Sequence, residues 1–202
     1  MSDDDILDLS FALSGRSVTA DYADPLFRQV CGCLPWLADE PAAGIHPLHR
    51  VGSDTGTGEI TLSRHSHLIL RLSRGRLAKA SRLSGARLDL GGEVTVGAAR
   101  ARELAPASVL YSSFVTVEEE DEVLFVETCK WLLAAMGVSV PMLCGKSRKG
   151  SGSGTVWSGF SLMLHGIGEE ESLRVQREGL GGERKRGCGI FVPHRSVVAV
   201  GK

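Results

Sequence analysis

The sequence predicts an α+β fold in which the order β-α-β-β-α-β is written twice in tandem, and three observations carry that reading. Apolar residues alternate with period 2 where strands are needed, and amphipathic stretches with helix start and stop residues lie between them. In addition, "HLILRLSRGRLAKASRLSGARL" and "SLMLHGIGEEESLRVQREGLGG" look like one structural passage written twice. At 202 residues and 43% hydrophobic content the chain can build two small cores. The expected architecture is therefore a pair of ferredoxin-like (βαββαβ) domains, 1–104 and 105–202, each an antiparallel sheet with helices on one face, the second ending in a glycine-rich loop.

Taken in order, Leu7, Leu9, Phe11 and Leu13 alternate along a first strand. Asp24 and Pro25 supply an N-cap and a first-turn proline for a helix carrying Leu26, Val30, Cys33 and Leu34, stopped near Pro35. After the loop "ADEPAAGIHPLHR", the long β run "EITLSRHSHLILRLS" puts Leu62, Leu68, Leu70 and Leu72 on one side. His65, His67, Ile69 and Arg71 then share the other, a polar and basic face suited to RNA. "RGRLAKASRLSG" is a helix ended by Gly85, and "ARLDLGGEVTVG" returns as strand with a Gly-Gly turn.

The second half repeats the order. "SVLYSSFVTV" is a strand, and "DEVLFVETCKWLLAAMG" a helix with acidic residues at its start and Gly137 at its end. "VPMLCGKSRKGSGSGTVWSGFSLMLHGI" reads as two strands around a Gly/Ser-rich tip carrying Lys146, Arg148 and Lys149; "EEESLRVQREG" is the fourth helix and "CGIFVP" the last strand. Glu118–Glu122 reads as a solvated helix start, with no paired-carboxylate role.

A net charge of −1 hides strong segregation. From Arg64 to Arg102 nine basic residues face only Asp89 and Glu93, while acid gathers at Asp3–Asp5, Glu118–Glu122 and Glu169–Glu171. A neutral total is thus compatible with a polyanionic partner, because the local field decides binding. Five scattered cysteines, an acidic start "MSDDDILDLS" and the lack of a long apolar run predict free thiols, a reducing cytoplasm and no membrane segment.

The densest signal is "GLGGERKRGCGIFVPHR", Gly179–Arg195. Glycines there suit positive φ or a close backbone approach, and Arg184, Lys185 and Arg186 sit in their midst, an arrangement fit for phosphates. It is not a nucleotide loop: Gly182–Gly187 has P-loop spacing but Cys188 stands where the lysine belongs, and no dinucleotide fingerprint follows a strand. The stretch "GLGGERKRGCGIFVP" after tandem ferredoxin-like units resembles the glycine-rich loop of the CRISPR-associated repeat-processing endoribonucleases of the repeat-associated mysterious protein superfamily. "LPWL", "GIHPL" and "GFSLMLHG" resemble its myxobacterial-type subfamily.

The resemblance implies cleavage of precursor crRNA within each repeat, without metal or cofactor, leaving a 2′,3′-cyclic phosphate and a 5′-hydroxyl. It implies a repeat stem-loop as partner, other subunits of a type I effector complex, and a prokaryotic cytoplasm as location. Such chemistry needs a base for the 2′-hydroxyl, cations around the phosphorane and an acid for the leaving oxygen, and histidine suits both proton roles. Relatives place that histidine around the first helix or the loop after it. Here the matching residues are His46, preferred because Gly44 and Pro47 fix its loop, then His49, with Tyr22 as an orienting or acid group. The expected RNA contacts are Gly181, Gly182, Arg184, Lys185, Arg186, Gly187 and Gly189, with Arg64, His65, His67, Arg71, Lys146, Arg148 and Lys149. His165 and His194 are read as structural or peripheral. A zinc site from Cys31, Cys33, His46 and His49 is disfavoured by its tight spacings. The competing function is a non-catalytic repeat-binding subunit of a CRISPR effector.

Overall fold

The computed structural model describes residues 5–48, 52, 58–152 and 154–194. They divide into two units. The first comprises the chain up to Leu104 with Lys149–Trp157 and Glu183–Cys188; the second comprises Ala105–Arg148, Ser158–Gly182 and the chain from Gly189 on.

In the first unit the alternation of Leu7, Leu9, Phe11 and Leu13 forms strand β1 (Ile6–Ser14), with all four side chains buried. A short strand β2 (Ser17–Thr19) precedes helix α1 (Ala23–Cys33), and β3 (Gly44–Ile45), β4 (Glu59–Thr61) and β5 (His67–Ser73) follow. Helix α2 (Leu77–Ala80), flanked by 3-10 turns, leads into the hairpin of β6 (Arg87–Asp89) and β7 (Glu93–Glu103). The main sheet runs β3-β5-β1-β7-β6, and β2 pairs with β4 apart from it. With β6 set aside as an added edge strand, β1, β3, β5 and β7 occupy the 4-1-3-2 order of a ferredoxin-like sheet. Leu26 and Val30 of α1, with Ala80 and Leu83, share one core with the inward residues of β1 and β5. The Gly-Gly turn is present, with Gly91 at φ 81°.

Four expectations are corrected here. The segment "ADEPAAGIHPLHR", read as loop, contains β3, which is only two residues long and too short to leave a periodic signal. The long β run is interrupted: Ser63 N–H donates to Ser66 Oγ (2.9 Å) and His65 N–H to Ser63 Oγ (3.1 Å), so His65 lies in a tight turn rather than on a strand face. Helix α1 begins at Ala23 with Tyr22 as its N-cap, so Asp24 is inside the first turn and is not the N-cap. Finally Arg71, assigned to an open RNA-facing surface, is 1% exposed.

The second unit is built on β8 (Val109–Val115), α3 (Glu122–Ala135), β9 (Met142–Gly152), β10 (Thr155–His165), α4 (Glu169–Glu178) and β11 (Val192–Pro193), the adjoining ends of β9 and β10 within Lys149–Trp157 being counted in the first unit. Its sheet order, β11-β8-β10-β9, is again 4-1-3-2. Asp121 caps α3, its carboxylate accepting from the amides of Val123 and Leu124, and Gly137 follows the helix at φ 71°. Phe125, Cys129 and Leu133 of α3 pack with Val175 of α4 over Leu110, Leu162 and Leu164. Trp131 and Val123 lie on the exposed side of α3.

Candidate functional site

The strand that sequence periodicity missed leads directly into the candidate histidine, His46. Ile45 of β3 pairs with Leu70 and faces the core, and His46 N–H donates to Ile69 O (2.9 Å). Strand alternation therefore turns the His46 side chain to the opposite face, the face of Arg71. There β1 supplies Asp8, which stands across from Arg71 in register. Arg71 Nε donates to Asp8 Oδ1 (2.8 Å) and its terminal nitrogen to Oδ2 (3.0 Å), a two-pronged pair, while His46 Nε2 lies 3.2 Å from Oδ1.

The electrostatics follow from this packing. Burial by itself would raise the Asp8 carboxyl, but hydrogen bonds and charge from His46 and Arg71 outweigh it and hold Asp8 well below the usual carboxylate range. His46, 5% exposed, is pushed below the ordinary histidine value mainly by burial, with Arg71 and Arg184 adding to the effect and Asp8 opposing it. At neutral pH the imidazole is uncharged, the form that can accept a proton.

The residues after His46 are held from two sides. Tyr22 Oη accepts from Leu48 N–H (3.0 Å), and a Cβ added to Gly187 would meet Pro47 at 3.2 Å. Gly187 ends a 3-10 turn, Arg184–Arg186, in the first unit. Lys185 Nζ donates to Ala38 O. Arg186 donates to Asp24 (2.8 Å) and Glu183 (2.7 Å) and lies over the Phe27 ring at 4.5 Å. Lys185 and Arg186 therefore bind protein groups here, which differs from the phosphate-gripping role expected of them.

The glycines too are engaged by protein. Gly181, Gly187 and Gly189 have φ of 77°, 86° and 66°, as the glycine run suggested. Yet a Cβ at Gly181 would fall 2.1 Å from Thr116 O, and at Gly189 2.1 Å from Leu180 O. The amides of Gly182 and Gly189 donate to Thr116 O (2.9 Å) and Phe114 O (2.7 Å), and those of Gly187 and Cys188 to Arg184 O and Glu183 O. The close approach is to the chain's own backbone, and these amides are not laid open as a phosphate cradle.

The remaining candidates are dispersed. Arg64 and His65 share the turn before β5, Arg64 Nε donating to His65 Nε2 (3.1 Å), and His67 Nδ1 donates to His65 O (2.6 Å). Lys146 and Arg148 stand exposed on β9 in the second unit; Lys149 is exposed in the first. His49 lies outside the described residues. His194 stacks on Tyr111, centroids 5.5 Å apart. Cys31 and Cys33 sit on α1, and among the described residues no three His, Cys, Asp or Glu side chains are grouped to hold a metal. Asp8 was missed altogether, since its partners lie 38 and 63 residues away and leave no local signal.

A model of the family described as Cas6 Crispr matches residues 7–196. The chain belongs to the Cas6 family. It is 33% identical over 189 residues to the CRISPR-associated endonuclease Cas6 of Myxococcus xanthus (strain DK1622), covering 93% of this chain and 81% of that protein. Among solved structures, "An RAMP protein binding different RNA substrates" superposes with a TM-score of 0.72 at 14% identity, covering 92% of this chain and 98% of the other. A Cas6-related protein from Pyrococcus furiosus gives 0.69 at 14% identity, covering 92% and 97%. The endoribonuclease Cse3 bound to 19 nt RNA gives 0.52 at 12% identity, covering 92% and 96%. The structural likenesses establish the tandem ferredoxin-like fold for this Cas6 chain.

Proposed function

We propose that this Cas6 protein is an endoribonuclease that binds the hairpin of a CRISPR repeat and cleaves the precursor transcript there without a metal ion. In this reading His46 takes the proton of the 2′-hydroxyl and the freed oxygen attacks the adjacent phosphorus. The bond to the 5′ oxygen breaks, leaving a 2′,3′-cyclic phosphate and a 5′-hydroxyl. Tyr22 or His49 returns a proton to the departing oxygen, and Arg184 offsets charge on the phosphorane. The observation that carries the proposal is the buried, carboxylate-held histidine following β3, whose next residues are anchored by Tyr22. The Myxococcus relative, named an endonuclease, supports the reaction class, and the Cse3 structure holds RNA.

Binding rests on backbone contacts, because paired RNA offers mainly phosphates and 2′-hydroxyls. The exposed cations Arg64, Lys146, Arg148 and Lys149 serve it, with His65 and His67 beside the first. Arg71 is spent on Asp8 and Arg186 on Asp24, so they act on the protein instead. The protein works in the prokaryotic cytoplasm alongside other subunits of a type I effector complex.

One observation favours the alternative of a non-catalytic repeat-binding subunit: His46 is 5% exposed, so RNA must displace its cover before the ring can act. Catalytic hydrogen bonds are often incomplete before substrate arrives, so burial in the free protein is compatible with catalysis in the complex. Purified protein incubated with end-labelled repeat RNA in EDTA separates the two. Cut RNA carrying a cyclic phosphate supports the enzyme, whereas RNA bound but intact overturns it.

A further inference from the structure

The geometry points to Asp8 as a positioning residue, which fixes His46 as the tautomer protonated on Nε2 and so makes Nδ1 the ring atom that exchanges a proton with RNA. This rests on the proposed role of His46. The argument starts at Arg71. Its guanidinium has only donors to offer, and it gives two of them to the Asp8 carboxylate, at 2.8 Å on Oδ1 and 3.0 Å on Oδ2. Asp8 is thereby kept ionised and acceptor-only. An imidazole nitrogen 3.2 Å from Oδ1 must therefore carry the hydrogen, and that nitrogen is Nε2. A neutral ring holds one proton, so Nδ1 keeps the lone pair.

The trio also fixes where the ring points. Asp8, Arg71 and His46 come from β1, β5 and the residue following β3, three strands adjacent in one sheet, and each backbone is set by the ladder. A base held by a carboxylate on the far side of its ring is the arrangement used wherever a histidine must present one defined nitrogen. The charged groups facing His46 are Asp8 from β1, Arg71 from β5 and Arg184 from the 3-10 turn. Two of the three disfavour its protonation, and Asp8 alone favours it.

The test uses the full chain labelled with ¹⁵N-histidine, the His46 ring assigned by its loss in H46A, together with single-turnover cleavage of repeat RNA. The expected spectrum shows a neutral ring protonated on Nε2. Asp8→Asn should lose that preference and slow cleavage about a hundredfold or more, with hairpin affinity within about twofold of wild type. Its pH–rate profile should keep activity to lower pH in relative terms, because removing the carboxylate makes His46 harder to protonate. Should Asp8→Asn fold poorly because the Arg71 charge is no longer opposed by Asp8, the pair D8N/R71M removes both charges and should recover stability without recovering rate. A ring protonated on Nδ1 in the wild type, or a folded D8N or D8N/R71M that cleaves normally while H46A is inactive, would overturn the inference. Wild-type cleavage by H46A would overturn the general-base assignment itself, and the spectrum tells that failure from a failure of Asp8 to hold the ring.

Discussion

Arg186 donates to Asp24 from 2.8 Å while its guanidinium lies over the ring of Phe27, so one side chain joins the start of α1 to the turn before Gly187. Asp24 is 3% exposed and also pairs with Arg28. Removing one partner of a buried pair leaves the other charge poorly compensated. Arg186→Ala should therefore destabilise the protein by about 2–3 kcal/mol, somewhat less than the roughly 3–5 kcal/mol for a fully orphaned buried charge, because Arg28 remains on Asp24. Urea unfolding checks it, and an unchanged midpoint would mean the pair contributes nothing.

The neighbouring glycines should respond very differently to alanine. Gly181 has φ 77° and its added Cβ would strike Thr116 O, so Gly181→Ala should cost about 2–4 kcal/mol. At Gly182 the nearest atom is Thr116 Cγ2 at 4.0 Å, and Gly182→Ala should stay within about 0.5 kcal/mol. Equal losses at the two positions would show that this turn is not built as described.

Acid should weaken the fold in two stages. His46 has a folded pKa below its ordinary 6.5 because it is buried, so below pH 6.5 the unfolded chain binds a proton that the folded one refuses, and stability drops as pH falls. Asp8 is held below its ordinary 3.8 by His46 and Arg71 despite burial, so its contribution is present above that value and is lost as pH falls further. Chemical denaturation from pH 8 down to about pH 2 follows both, and His46→Gln should flatten the first stage.

Salt dependence of RNA binding sorts the cations. Each phosphate neutralised releases counterions, so losing a contact lowers the slope of log K against log salt by about 0.7–0.9. Lys146→Ala with Arg148→Ala should reduce the slope by roughly one to two, since both side chains stand exposed. Lys185→Ala should change it little, its ammonium being taken by Ala38 O. A larger loss at Lys185 than at the β9 pair would return the glycine-rich segment to the role of phosphate grip.

The thiols should divide by environment. Burial pushes Cys129 and Cys188 up to about 12, whereas Cys33 is exposed on α1. In native protein a disulfide reagent should modify Cys33 first and reach Cys129 and Cys188 only with unfolding, because the thiolate is the reactive form. Prompt native labelling of Cys188 would contradict its packing.

What the sequence determined by itself is what local repetition can encode. The period-2 leucines of β1 and β5, the acidic start of α3, the Gly137 stop and the doubled order of elements each lie within a few residues of the signal that reveals them. The family resemblance rested on equally short motifs, and the family match bears it out. Tertiary structure decided which side of each polar residue matters. Arg71 and Arg186 read as cations for RNA because a sequence displays charge without displaying partners; the carboxylates that claim them are 63 and 162 residues away. β3 was invisible because two residues carry no period, and Asp8 because a lone acid on a strand resembles any solvated side chain until β3 and β5 bring His46 and Arg71 against it. Alternation depends on neighbours along the chain, but a buried charge is settled only by the neighbours that folding supplies.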